Sequence, residues 1–242
     1  MDHKKLIAQL KQTYCLLFDF DGTLTKSTNA GILRHIQLAK ELGMKPPTKQ
    51  QLIANWGAVW NREFMDNLAL ANGWTEKQKQ RLIKAYIERN SNKAYPRISG
   101  LPNMLQALKE AGHWLGILSS RDRAGMMLRL AQQELNANLF NFIQGEDQAR
   151  YRKPDPAVFG PVLSRLHTLK NWDNLWYIGD TIDYDLKASY NHTPPLNFMG
   201  IVSILANQHD WLQYGVPKHL ILKSVTQLPQ ALLADEKMKD SS

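Results

Sequence analysis

From Gly100 onward, short apolar runs stopped by polar loops alternate with stretches of helical spacing. Such alternation admits few folds. Each strand returns to the same sheet through a helix, so the sheet is parallel and its crossovers are right-handed. The pattern predicts strands at Trp114–Leu118, Phe142–Gln144, Leu175–Ile178, Asn197–Val202 and Leu220–Leu222. Helices are predicted at Met104–Ala111, Arg123–Leu135, Ala157–Leu166 and near Val225–Leu233. Near the start, TYCLLFDFDGTLT adds an apolar run ending in Asp-Gly, which suits a strand buried on both faces. The closing ADEKMKDSS reads as a polar, frayed tail.

Between these blocks the strand pattern disappears. Helical spacing runs through Ile32–Leu42, Gln51–Ala71 and Glu76–Arg89, with breaks at Met44–Pro47 and Gly73. Val59, Trp60, Phe64 and Leu68 share one helical face and read as the packed interior of this block. The expected organisation is an α/β unit made of residues 1–25 and 96–242, interrupted by a helical insert at 26–95. A chain of 242 residues, 43% apolar and 21% charged, can bury a real core, which excludes a disordered chain or a disulfide-stapled miniprotein. No run of 18 apolar residues is present, so no membrane-spanning helix is expected. The opening residues lack the pattern of a secretory signal, and a single cysteine, Cys15, cannot close an internal disulfide. A reducing, cytoplasmic location is expected.

The net charge is +8, and it is localised. Residues 26–98 hold 13 Lys/Arg against 5 Asp/Glu, while the rest of the chain holds 17 of each sign. A basic insert suits an anionic partner such as a phosphorylated metabolite; it equally suits a solvated helical surface. No basic groove with interleaved aromatics accompanies it, so nucleic acid is not the expected partner.

In an open parallel sheet, ligands bind beyond the carboxyl ends of the strands. Four loops follow those ends: Asp19-Phe20-Asp21-Gly22-Thr23, Ser119-Ser120-Arg121, Arg152-Lys153-Pro154-Asp155, and Gly179-Asp180-Thr181-Ile182-Asp183-Tyr184-Asp185. Each has a bland reading taken alone: a turn, a cap (the expected role of Ser120), a surface lysine. Together they bring acids, a hydroxyl and a lysine to one edge. Asp19 and Asp21 have strand spacing and should point to the same side. Two such carboxylates repel unless a cation sits between them, which argues for a hard, oxygen-seeking metal such as Mg²⁺.

The order of these motifs resembles that of the haloacid dehalogenase superfamily, mostly Mg²⁺-dependent phosphatases with an aspartate nucleophile. DFDGT, LGILS, KPDPAVF and the acidic GD…D loop match its four motifs, and the insert matches the helical cap of the phosphoglycolate phosphatase and β-phosphoglucomutase-like subgroup. The resemblance implies an α/β fold with a Rossmann-like parallel core and a cap at 26–95. It implies hydrolysis of a small phosphorylated metabolite through an aspartyl-phosphate. Asp19 is the implied nucleophile, Asp21 the acid/base, and Ser119 and Lys153 the phosphoryl-holding groups. Mg²⁺ would be held by Asp19, the backbone carbonyl of Asp21, and Asp180, with Asp185 further out; Asp183 is the alternative to Asp185. Two features depart from, or go beyond, the pattern. Lys26 stands where many members carry an acid, and Arg121 follows the second motif as a candidate substrate contact. Trp56, Trp60 and Arg62 read first as packing and a solvated arginine, with substrate contact as the lesser reading. The alternatives are a phosphomutase of the same fold or a non-catalytic binding protein on the same scaffold. A monomer or weak homodimer is expected.

Overall fold

The computed structural model describes residues 2–168 and 174–241, the side chain of Asn61 excepted. Its strands are β1 (Cys15–Phe18), β2 (Trp114–Leu118), β3 (Phe142–Gln144), β4 (Leu175–Gly179), β5 (Asn197–Ile201) and β6 (Ile221–Leu222). They form one sheet in the order β3-β2-β1-β4-β5-β6, with every pairing parallel. Every residue of β1, β2 and β4 is buried, because helices cover both faces. The register sets Phe18 level with Ile117 and Ile178, so β1 and β4 end together and the Asp19 amide donates to the Ile178 carbonyl at 2.8 Å. Strand order reverses between β1 and β4. That crevice is the switch point where such sheets take their ligands.

The helices are α1 (His3–Ile7), α2 (Ser27–Glu41), α3 (Lys49–Asn55), α4 (Met65–Asn72), α5 (Glu76–Asn92), α6 (Leu101–Glu110), α7 (Arg123–Gln132), α8 (Gly160–Thr168), α9 (Lys187–Tyr190), α10 (Gln208–Gln213) and α11 (Leu228–Lys239). Local chemistry fixes several starts. Thr48 with Gln51, and Thr75 with Gln78, form reciprocal capping boxes on α3 and α5. Asp122 caps α7 by accepting the Gly125 amide, the role expected of Ser120.

Buried apolar side chains fall into two clusters. One packs around the sheet and draws on residues 7–24 and 98–232. The buried members of the other, including Ile32, Leu52, Phe64, Leu68 and Tyr86, lie within residues 32–86, and half-buried Ile204 packs against them.

Two expectations are corrected. The single helix read at Gln51–Ala71 is broken: α3 ends at Asn55, and helical structure resumes as a π turn at Trp60–Phe64 leading into α4. The break centres on Gly57, whose φ of +108° side chains rarely adopt; a Cβ there would lie 2.4 Å from the Tyr184 ring. Apolar spacing continues across the break, so periodicity alone could not reveal it. The polar tail is also not frayed through most of its length. It continues α11 to Lys239, and Glu236, 5% exposed, accepts the Lys11 amide at 3.1 Å and the Tyr14 hydroxyl at 2.7 Å.

The second cluster is organised around His35, which is fully buried. Its Nε2 lies 2.9 Å from Trp60 Nε1 and its Nδ1 lies 2.8 Å from the Gly31 carbonyl. An indole N–H only donates, so Nε2 must be unprotonated and the ring neutral. Burial pushes the His35 pKa down to about 4. The unfolded chain, with the group near 6.5, therefore takes up a proton first as pH falls. The stabilisation is intact above pH 6.5 and is lost as pH drops through 4, amounting to roughly 3 kcal/mol. His35→Gln should flatten the dependence of unfolding free energy on pH by close to one proton across that window. An unchanged slope in paired denaturant titrations would remove the assignment.

Candidate active site

The four loops meet at the carboxyl edge, around the crevice between β1 and β4. Asp19 follows β1, Ser119 follows β2, Asp180 follows β4, and Lys153 reaches in from the segment after β3. All four line one cavity of about 530 Å³.

Lys153 is the hub. Its side chain is 4% exposed, and Nζ donates to Asp19 Oδ1 at 2.7 Å, to Asp185 Oδ1 at 2.6 Å and to the Tyr177 hydroxyl at 3.0 Å. Burial opposes its charge, but Asp185 and Asp19 outweigh it and hold its pKa well above the ordinary value.

Carboxylate oxygens of Asp19, Asp180 and Asp185 lie within 4.8 Å of one another, all three residues being buried. One ammonium therefore faces three carboxylates. Burial first, then Asp185 and Asp21 against the pull of Lys153, raise Asp19 to about 7. Burial, with Asp19 and Asp185 adding to it, pushes Asp180 well up.

The three acids are not equivalent. Asp185 is saturated: it accepts from Lys153, from the Tyr177 hydroxyl at 2.8 Å, and from the Thr181 hydroxyl and amide at 2.5 and 3.1 Å. Among the described residues, the Asp180 side chain takes only a 3.3 Å bond from the Thr28 hydroxyl on Oδ2, and its buried Oδ1 has no hydrogen-bond partner. A buried carboxylate oxygen left bare is costly. Gly22 makes this approach possible, since a Cβ at its φ of +90° would sit 2.0 Å from Asp180 Oδ2.

Asp21 stands apart from this cluster. Its side chain, 22% exposed, is gripped by Arg121 through Nε at 2.6 Å and Nη2 at 3.0 Å. Burial would raise its pKa, but the guanidinium prevails and holds it below the usual carboxylate value. Asp19 and Asp21 each have a protein cation, Lys153 and Arg121, and Asp180 and Asp185 crowd Asp19 in addition to Asp21. Arg121 holds an acid of the site rather than projecting freely. Ser119 is buried, and its Oγ accepts the Arg121 amide at 3.1 Å.

Other residues separate in space. Asp183 is solvent-exposed and pairs with Lys187 at 2.5 Å, so Asp185, not Asp183, is the acid that joins the cluster. Lys26 is exposed and makes no side-chain cap at the start of α2. Trp56 and Trp60 line the cavity; Arg62 is exposed and does not. Tyr177, Thr28 and Thr181 were not anticipated. Tyr177 had a signal, because a tyrosine in a strand buried on both faces must find a partner for its hydroxyl. Thr28 had none.

A parallel α/β sheet with a buried carboxylate–lysine cluster at its switch point defines an α/β enzyme. Comparison with known proteins narrows the class. The family model for haloacid dehalogenase-like hydrolases matches residues 16–193. A phosphoglycolate phosphatase of Aquifex aeolicus (strain VF5) is 30% identical over 183 residues, covering 72% of this chain and 78% of that protein. Among solved structures, a Haemophilus somnus 129pt protein assigned as a phosphoglycolate phosphatase superposes with a TM-score of 0.66 at 17% identity, covering 91% of this chain and 98% of its own. A Thermotoga maritima protein assigned as a beta-phosphoglucomutase superposes with a TM-score of 0.68 at 20% identity, covering 93% and 99%. The chain belongs to the haloacid dehalogenase-like hydrolases.

Proposed function

We propose that this protein is a Mg²⁺-dependent phosphatase that hydrolyses a small phosphomonoester through an aspartyl-phosphate on Asp19. The observation that carries this reading is the bare Oδ1 of Asp180 beside Asp19, in a buried cluster with one ammonium for three carboxylates. That donor set is all oxygen and under-neutralised, which fits a hard divalent cation. Asp19, Asp180 and the backbone carbonyl of Asp21 would hold it, with the saturated Asp185 behind them. When bound, such an ion supplies positive charge that lets an anionic carboxylate approach an anionic phosphoryl group.

The protein's own groups do the rest. A carboxylate oxygen of Asp19 attacks phosphorus as the ester P–O bond breaks. Asp21, still held by Arg121 through one oxygen and protonated on the other, gives its proton to the departing alkoxide. It then takes a proton from the water that attacks the aspartyl-phosphate, which frees inorganic phosphate and restores Asp19. Lys153 and Ser119 hold phosphoryl oxygens; charge fixed in advance in a buried site is commonly the largest catalytic contribution. Residues 26–95, with their own apolar cluster, act as a cap that shields the reaction from water. The cytoplasmic reading draws support from the single cysteine, Cys15, buried in β1. Among the described residues no helix is long and apolar enough to cross a membrane.

A panel of phosphomonoesters, including a hexose 1-phosphate, assayed for both phosphate and isomeric product, tests the reading. Phosphate release that requires Mg²⁺ and stops with chelator is expected. Isomer formation without phosphate would assign a mutase instead. No turnover of any ester would return the protein to a non-catalytic scaffold.

A further inference from the structure

We propose, building on the phosphatase reading, that the alcohol half of the substrate is a flat apolar ring system, aromatic or heteroaromatic, and not a short acid such as glycolate. The juxtaposition that carries this is an aromatic wall in the same cavity as the polar catalytic groups. Asp19, Lys153 and Asp180 line one 530 Å³ space together with Trp56, Trp60, Phe64, Tyr86, Ile83 and Ile87.

Two polar atoms of the wall are spent elsewhere. The Trp60 indole N–H is taken by His35 at 2.9 Å, and the Tyr86 hydroxyl is 3.1 Å from that of Tyr95. What Trp60 offers the cavity is ring surface, and Tyr86, 5% exposed, backs it. The rings are also fixed from behind. His35 stacks on Tyr86 with centroids 4.0 Å apart, Trp60 lies 4.9 Å from Tyr86, and Trp56 meets Phe64 edge-on at 5.6 Å. A wall held this way loses little freedom when a ring packs on it. Ile87 of the wall and the further lining side chain Leu128 are 54% and 42% exposed, and an apolar ligand would cover them.

Neither guanidinium that lines the cavity is free to pair with a short carboxylic acid. Arg121 is bidentate on Asp21, and Arg129, 1% exposed, lies over the Tyr95 ring and donates to the Lys93 carbonyl and the Gln132 side chain.

The test compares 2-(1-naphthyl)ethyl phosphate with ethyl phosphate and 2-phosphoglycolate in the presence of Mg²⁺. The first two release primary alcohols of similar acidity, so their ratio of kcat/KM reports the ring and not the leaving group. A ratio of about 100 in favour of the naphthyl ester is expected. Trp60→Ala should lower that ratio about tenfold, and Ile87→Ser, at an exposed position that leaves folding intact, should lower it as well. Equal rates for the naphthyl and ethyl esters, or preference for 2-phosphoglycolate, would overturn the inference and leave the phosphatase reading standing. Should none of the three esters turn over, titration of the protein's tryptophan fluorescence separates the two ideas. Saturable binding of the naphthyl ester but not ethyl phosphate would retain the ligand class and discard the reaction; no binding would discard both.

Discussion

Replacing Asp19 with Asn should abolish phosphate release, by on the order of 10⁴-fold or more, while leaving the fold intact. The amide matches the carboxylate in shape but cannot serve as the attacking oxygen. Its effect on stability should run opposite to its effect on catalysis. In chelator, burial and the neighbouring acids raise Asp19 to about 7, above the ordinary 3.8. Between those values the folded protein binds more protons than the unfolded chain, so wild-type stability falls as pH rises through that window. The variant lacks the titrating group, and its stability in chelator should fall less steeply with pH and equal or exceed that of the wild type at pH 7. Lys153 keeps its 2.6 Å partner Asp185, so no buried ammonium is stranded. Phosphate release near the wild-type rate, or loss of the folded state, would contradict the role given to Asp19.

Replacing Asp180 with Asn should uncouple the protein from magnesium. Saturating wild-type protein at 100 times the dissociation constant should add about 2.7 kcal/mol of stability, a rise in Tm of roughly 5–10 °C for a chain of this size. Asp180→Asn removes the carboxylate whose Oδ1 has no protein partner, and both the shift and most of the Mg²⁺-dependent rate, about 10³-fold, should disappear. Asp185→Asn is the informative contrast. That carboxylate accepts from Lys153, Tyr177 and Thr181, so its loss should lower stability in chelator more than it lowers magnesium affinity. Retention of the full magnesium shift by Asp180→Asn would defeat the metal assignment.

The sheet and the site were legible to different depths. Apolar runs such as CLLF and WLGIL announced buried strands, because a strand covered on both faces must be apolar throughout. Strand ends then located Asp19, Ser119 and Asp180 by position alone. The choice between Asp183 and Asp185 could not be made from spacing. It was settled by a turn that sends Asp183 to solvent beside Lys187 and Asp185 inward against Lys153. The α11 tail was misread for a related reason. Asp235 and Glu236 have the composition of a surface, and only Lys11 and Tyr14, more than two hundred residues away, make burial of Glu236 tolerable.

The alternation of strand and helix was determined by the sequence itself, since periodicity and turn residues act over a few neighbouring positions. So was the gathering of acids and a lysine at one sheet edge, since a parallel sheet puts every strand-end loop on the same side. The division of labour among those acids was decided by the tertiary structure. A carboxylate becomes saturated, bare or guanidinium-bound only through partners brought from distant segments. The aromatic wall was decided there too: Trp56 and Trp60 line the cavity on either side of Gly57, which lies against the Tyr184 ring, and that close approach is a property of the packed molecule.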